Sequence, residues 1–190
     1  MLAYIVLLVA VLSRILPHAF HAVSWNFTAL GGGLLFFGSR MASSRRAAWM
    51  LPSALAVLMA TDYYLTVFAY GYPFQLRTYL VTWIWYAAVC LLGMGLLQKP
   101  TLLRVAAGAL ATSTSFFLIS NFIVWTAGSM SMYPHSLAGL GACYAAGLPF
   151  YRNDLASTAL TAGALFGLPV LAARIVDSLR AARSANLPLA

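Results

Sequence analysis

The chain has 190 residues, of which 63% are hydrophobic and 7% charged, and a formal net charge of +8. A soluble domain carries about 25% charged residues, so three acids in the whole chain cannot cover a water-facing surface, and the composition points to an integral membrane protein. The basic excess would suggest nucleic acid in a soluble chain; in a membrane chain it reads as basic loops that set orientation, and no nucleic-acid partner is expected.

A transmembrane helix needs roughly 20 apolar residues, with about 17 to 25 tolerated. Six segments meet or approach that length, at about 1–16, 26–38, 47–70, 78–97, 105–127 and 155–176. The first opens "MLAYIVLLVAVLS" without the basic flank of a signal peptide, and "HAFHA" offers no small-x-small cleavage site. It is read as a retained span. The stretch "RILPHAFHAVSWNFTALGG" that follows is read as outer loop one, its proline ending the first span. The second span is short and opens on Gly31-Gly32-Gly33, so a broken or tilted helix is expected. A further apolar stretch, Ser136 to Tyr151, is short, glycine-rich and proline-terminated, and suits a re-entrant or surface helix. Irregular backbone at membrane depth survives only where protein or a wet cavity covers it. Two cysteines, Cys90 and Cys143, make no disulfide framework.

Charge chooses between six and seven spans. With six, Arg40, Arg45, Arg46, Lys99, Arg104, Arg174, Arg180 and Arg183 share one side, and only Arg14, Arg77 and Arg152 lie on the other. The positive-inside rule then puts both termini in the cytoplasm, in the inner membrane if the source is bacterial. The expected fold is all-α: one domain over 1–190, a six-helix membrane bundle with an outward-facing pocket.

Polar side chains cluster at one depth in this topology. At about 1.5 Å per residue, Asp62 lies roughly 12 Å and Asn121 roughly 9 Å below the outer ends of their spans. Asn26 opens span two, Trp83 lies in the outer third of span four, and Thr158 and Thr161 lie in the outer half of span six. Asp62 is the only acid within these span limits, and an intramembrane acid usually faces a cavity or a partner. A pocket holding Asp62, Asn121 and Asn26, with Arg77 or Arg152 as partner to the acid, is one expectation; interhelical hydrogen-bond glue is the other. The outer loops bring His18, His21, Trp25, Tyr72, Phe74, Arg77, Tyr133, His135 and Arg152 to the same side. Aromatics among a few polar groups suit a ligand lid, against the alternative of an interfacial belt. Inner loops such as "SRMASSRR" carry no tyrosine, tryptophan or histidine. The histidines make a weak metal signature, since no acid or cysteine stands at ligand spacing beside them. No resident metal or cofactor is expected. The nucleotide-binding and hydrolase motifs are absent, and Asp62 has no evident nucleophile, so an enzyme is not expected.

Three blocks, "SRILPHAFHAVSWNFTALGGGLLFFGSR", "LPSALAVLMATDYYL" and "STSFFLISNFIVWTAGSMSMYPHSLAGLGACYAAGLPFYRNDLASTALTAGALFG", cover over half the chain. They resemble a family of small bacterial membrane proteins similar in size and layout to the S-components of energy-coupling-factor vitamin transporters, including solitary vitamin B12 transporters. That resemblance implies six helices, both termini inside, and a small ligand held by outer loops one, three and five, with cobalamin or another corrinoid as leading candidate. S-components that share an ATP-driven module usually carry an A-x-x-x-A face in the first helix. Here Ala3 and Ala10 make no such pair, so a solitary protein is expected. Two alternatives stay open: a cobalt, nickel or zinc permease using the outer histidines, and a non-transporting assembly protein.

Overall fold

The computed structural model describes residues 1–19, 27–127 and 132–185. These form six α-helices in the order α1 (Leu2–Ala19), α2 (Leu30–Met41), α3 (Ala47–Tyr64), α4 (Leu76–Leu96), α5 (Leu102–Ala127) and α6 (Leu137–Ala185), with a π-helical turn, Leu65–Ala69, continuing α3. The all-α class stands, and no strand occurs among the described residues. Four segments are long and apolar enough to cross a membrane: Ala47–Ala69, Tyr79–Leu96, Leu102–Ala127 and Leu137–Arg180; Leu2–Ile15 is a shorter apolar helix. This is the composition of a membrane protein.

The second expected span differs most from its sequence reading. Residues 27–29 are not helical, and α2 has 12 residues. At about 1.5 Å per residue it covers about 18 Å, short of the ~30 Å hydrocarbon core. Eleven of its residues are buried, Arg40 being the exception. A helix that is apolar all round belongs in an interior, and α2 is the centre of the bundle, packed mainly against α1, α4 and α6 and more lightly against α3 and α5. Its glycines permit this. Gly33 meets Ala10 of α1, Gly31 meets Thr158 of α6 and Thr112 of α5, and Gly32 meets Thr161 and Ala162. Gly38 lies on the Cys90 carbonyl of α4, and Gly93 of α4 lies on the Leu35 carbonyl of α2. Small residues let helix backbones approach where lipid supplies no hydrophobic drive for association.

The stretch 136–151 is not a separate re-entrant or surface helix. It is the first part of α6, a single 49-residue helix that also contains the expected span 155–176. Pro149 and Pro169 lie inside it. Each removes one backbone hydrogen bond, a loss that helices in membranes tolerate when neighbours and local adjustment satisfy the freed carbonyl.

The crossing of α2 and α4 yields a paired test. A Cβ at Gly38 would fall on the Cys90 carbonyl, whereas one at Gly163 meets nothing within 4 Å. Gly38→Ala should lower thermal stability in detergent by about 1–3 kcal/mol through overpacking. Gly163→Ala should leave stability unchanged or raise it by roughly 0.5–1 kcal/mol through helix propensity.

Candidate functional site

The most densely bonded polar group in the interior is Asp62, 2% exposed. The Arg14 guanidinium donates from Nη2 to Oδ1 at 2.5 Å. The Trp83 indole N–H donates to Oδ2 at 2.9 Å, and the Tyr86 hydroxyl donates to Oδ1 at 3.3 Å. Trp83 and Tyr86 are three apart on α4, which puts them on one helix face. The acid of α3 is therefore held by a base from α1 and two donors from α4. Arg14 Nη1 is buried and has no hydrogen-bond partner among the described residues. A buried donor left unmade is costly, and each one in a native structure calls for an explanation.

The residue before Arg14 bonds the chain at the start of α2. The Ser13 hydroxyl, next to Arg14, donates to the Ala10 carbonyl at 2.7 Å and accepts from the Ala29 N–H at 2.9 Å. The Leu30 N–H reaches Thr28 Oγ1 at 3.4 Å. The depth of that helix start follows from its neighbours. Thr112, which Gly31 meets, lies ten residues from Leu102 and fifteen from Ala127 within α5, about 15 Å and 22 Å from its ends. The N-terminus of α2 is thus near mid-depth, with the partial positive charge of unsatisfied N–H groups.

Aromatic rings extend from Asp62 along α3, the chain after it and α4. Phe74 stacks on Tyr79 with centroids 4.7 Å apart, lies 6.1 Å from Trp83, and meets Tyr63 edge-on at 5.2 Å. The Thr66 and Tyr79 hydroxyls are hydrogen-bonded to each other, and Thr66 also donates to the Asp62 carbonyl at 2.7 Å. At the end of α1, His18 packs edge-on against Tyr70 at 5.3 Å, so α1 and the segment after α3 meet.

The sequence-derived set therefore divides. Asp62, Trp83 and Phe74 come together, with His18 beside Tyr70 at the end of α1. Tyr72, Arg77 and Arg152 are exposed. Asn121 belongs to a different contact, between α5 and α6. Its Nδ2 donates to the Phe117 carbonyl at 2.8 Å, and its Oδ1 lies where a Cβ on Gly147 would be. His135 packs on Trp125 at 5.4 Å, whose indole N–H donates to the Pro134 carbonyl at 3.0 Å; Tyr133, beside them in sequence, is half-buried. His21, Trp25 and Asn26 lie outside the described residues. Asp62 and Asn121 thus have separate sets of partners rather than one shared pocket, and the partner of Asp62 is Arg14 rather than Arg77 or Arg152. Cavities of about 390, 370 and 510 Å³ open instead at the end that carries Arg40, Arg46 and Arg174. Among the described residues no three His, Cys, Asp or Glu side chains converge.

Two residues escaped the sequence reading. Arg14 passed for a flanking charge because Pro17 promised the end of the helix, yet α1 continues to Ala19. Asp154 passed for a loop residue behind Pro149, yet it lies within α6. A usable signal existed for the first: a lone base in the first apolar segment and a lone acid in the third are expected to seek a partner, and each is the other's complement.

Breaking a buried pair strands a charge, at a cost of about 3–5 kcal/mol, whereas replacing both partners by apolar groups is often near neutral. Arg14→Leu and Asp62→Leu should each lower stability by that amount in thermal unfolding, and the double variant by less than either. Trp83→Phe, which removes one hydrogen bond to a charged acceptor, should cost about 1.5–3 kcal/mol.

The chain belongs to the family of unknown function DUF6580, whose match runs over residues 1–180. No curated protein matches it, and no solved structure does.

Proposed function

We propose that this member of the family is a small-molecule uptake protein of S-component type, which takes a vitamin-like ligand from the outer side into the space above the start of α2. The observation that carries the reading is the buried Nη1 of Arg14, without a hydrogen-bond partner among the described residues, one residue along α1 from Ser13, which bonds the entry to a half-length helix. Half-helix N-termini near the membrane midplane serve anionic substrate groups in transporters, and a guanidinium arm with no acceptor among the described residues suits a carboxylate, phosphate or carbonyl oxygen. The Phe74, Tyr79 and Trp83 rings supply a wall for the flat or apolar part of such a ligand. A corrinoid, which carries amide carbonyls and a phosphate, has this chemistry.

The direction of uptake rests on charge. Eight of the 11 basic residues flank the loop after α2, the loop after α4 and the end of α6, so that side is cytoplasmic by the positive-inside rule. A fluorescent reporter fused after Ala190 should light up in cells. A periplasmic-only enzyme reporter that is active at that end would invert the assignment.

The ligand is sought by purifying the protein in detergent from cells grown in rich medium and analysing what it retains, a corrinoid by its visible absorbance. Arg14→Lys keeps a cation beside Asp62 but loses the planar second arm. It should leave thermal stability near that of the parent protein and lower the amount of ligand retained. Equal retention by the two proteins, or no small molecule held by the parent, overturns the reading.

A further inference from the structure

We propose that the groove between the start of α5 and the later part of α6 is a binding site for one anionic phospholipid of the cytoplasmic leaflet, with an acyl chain along Gly163 and Gly167 and the phosphate at Arg174. This goes beyond the uptake reading and does not depend on it.

Shape is the first argument. Gly163, Gly167, Val170 and Arg174 line one cavity of about 390 Å³ together with Leu102 and Val105 of α5. Their spacing along α6, in steps of four, three and four residues, keeps them on one helix face. A Cβ at Gly163 or at Gly167 would meet nothing within 4 Å. These two glycines therefore seat no other helix of this chain, unlike Gly31 and Gly38; they leave a furrow open. From Gly163 to Arg174 it runs about 16 Å at 1.5 Å per residue, half of the ~30 Å hydrocarbon core. That is the reach of an acyl chain within a single leaflet.

Charge is the second. The furrow is apolar along its length, and its one charged lining residue, Arg174, stands at the end toward the C-terminus. An adjoining cavity of about 370 Å³ shares Pro100 and Phe166 with it and holds Arg40, Ser39 and Gln98. The Arg40 guanidinium lies 4.6 Å from the centre of the Phe36 ring, on which Phe166 packs. No acid lines either cavity. Asp177, three residues beyond Arg174, has Arg180 at 3.8 Å, and neither Arg174 nor Arg40 has an acidic partner among the described residues. Basic pockets between helices on the cytoplasmic side are sites for anionic lipid headgroups, and a guanidinium matches the phosphate geometry.

The same charge decides against a second copy of the chain. Gly163 and Gly167 also have the spacing of a helix-pairing motif. A two-fold contact places the same patch of both subunits together, so Arg174 would face Arg174 with no acid between them, and such juxtaposition is unfavourable.

The test uses the full-length protein, stripped of lipid in detergent, with phosphatidylglycerol or phosphatidylcholine of identical chains added back. Bound lipid is counted by native mass spectrometry, and thermal stability is followed in parallel. The parent should hold one phosphatidylglycerol in preference to phosphatidylcholine and melt higher with it. Arg174→Gln and Arg40→Gln should each weaken that binding about fivefold, the worth of one basic residue near an anionic surface. Gly163→Leu, whose side chain enters open space, should fold and exclude the lipid; Gly167→Leu decides if that variant is lost. Arg45→Gln, on the same side but lining neither cavity, should bind as the parent does. The proposal is overturned by a parent that does not distinguish the two lipids, by parent-like binding in the leucine variant, or by equal weakening in Arg45→Gln, which would mean diffuse surface charge. Stabilisation by glycerol phosphate alone overturns it too, and so does a parent dimer that Gly163→Leu dissociates.

Discussion

A helix too short to cross a bilayer can stay within one only if protein covers every polar group its end exposes, and that constraint on α2 organises the bundle. Lipid offers no hydrogen bonds to an open helix end, and the first N–H groups of any helix have no partner inside it. The chain meets this chiefly with its neighbours, the one local side chain being Thr28, whose hydroxyl takes the Leu30 N–H. Ser13 of α1 takes the Ala29 N–H, the Ala29 carbonyl takes the Gly33 N–H, and three consecutive glycines let α1, α5 and α6 close over the rest. Without those glycines the surrounding helices would stand off, and the polar end would face a void.

The same contacts set the heights of the charged residues. Ala10 touches Gly33, so α1 is in fixed register against α2, and Arg14 follows one turn later. Thr158 touches Gly31, and Asp154 precedes it by one turn on α6. The start of α2 therefore lies between a base–acid pair on one side and an acid with no basic partner among the described residues on the other. Gly38 and Gly93, by their reciprocal seating on Cys90 and Leu35, fix α4 in turn, and with it the two donors to Asp62. Packing of small residues is thus the cause, and the alignment of ionisable groups from α1, α4 and α6 is its consequence.

Much of this was legible in the sequence because membrane helices announce themselves by composition. The helical class, the long segments near 47–70, 78–97 and 105–127, and the singular position of Asp62 all follow from apolar run length and the rarity of charge. What failed was local punctuation. Pro17 and the polar stretch after it, and Pro149 with Arg152, Asn153 and Asp154, are loop signals in water. In a membrane the alternative to a strained helix is unsatisfied backbone, so α1 and α6 run through them. Moving those two boundaries brings Arg14 and Asp154 from loops into helices, which is why the partner of Asp62 and the second intramembrane acid were missed. The half-length of α2 was signalled by its glycine run, but its burial was not: a short apolar helix reads alike whether lipid or protein surrounds it.

The reading of the Arg14–Asp62 pair as interhelical glue explains part of its geometry and leaves a remainder. Glue is served by groups that satisfy one another, and a buried ion pair contributes little more than well-packed apolar residues in its place. Asp62 fits that description, since both its oxygens are occupied. Arg14 does not, since one arm is bonded and the other is buried without a partner among the described residues. The guanidinium is the group that binds a carboxylate on one edge and keeps a second edge for another acceptor. That remainder is what supports the uptake proposal over a purely structural pair.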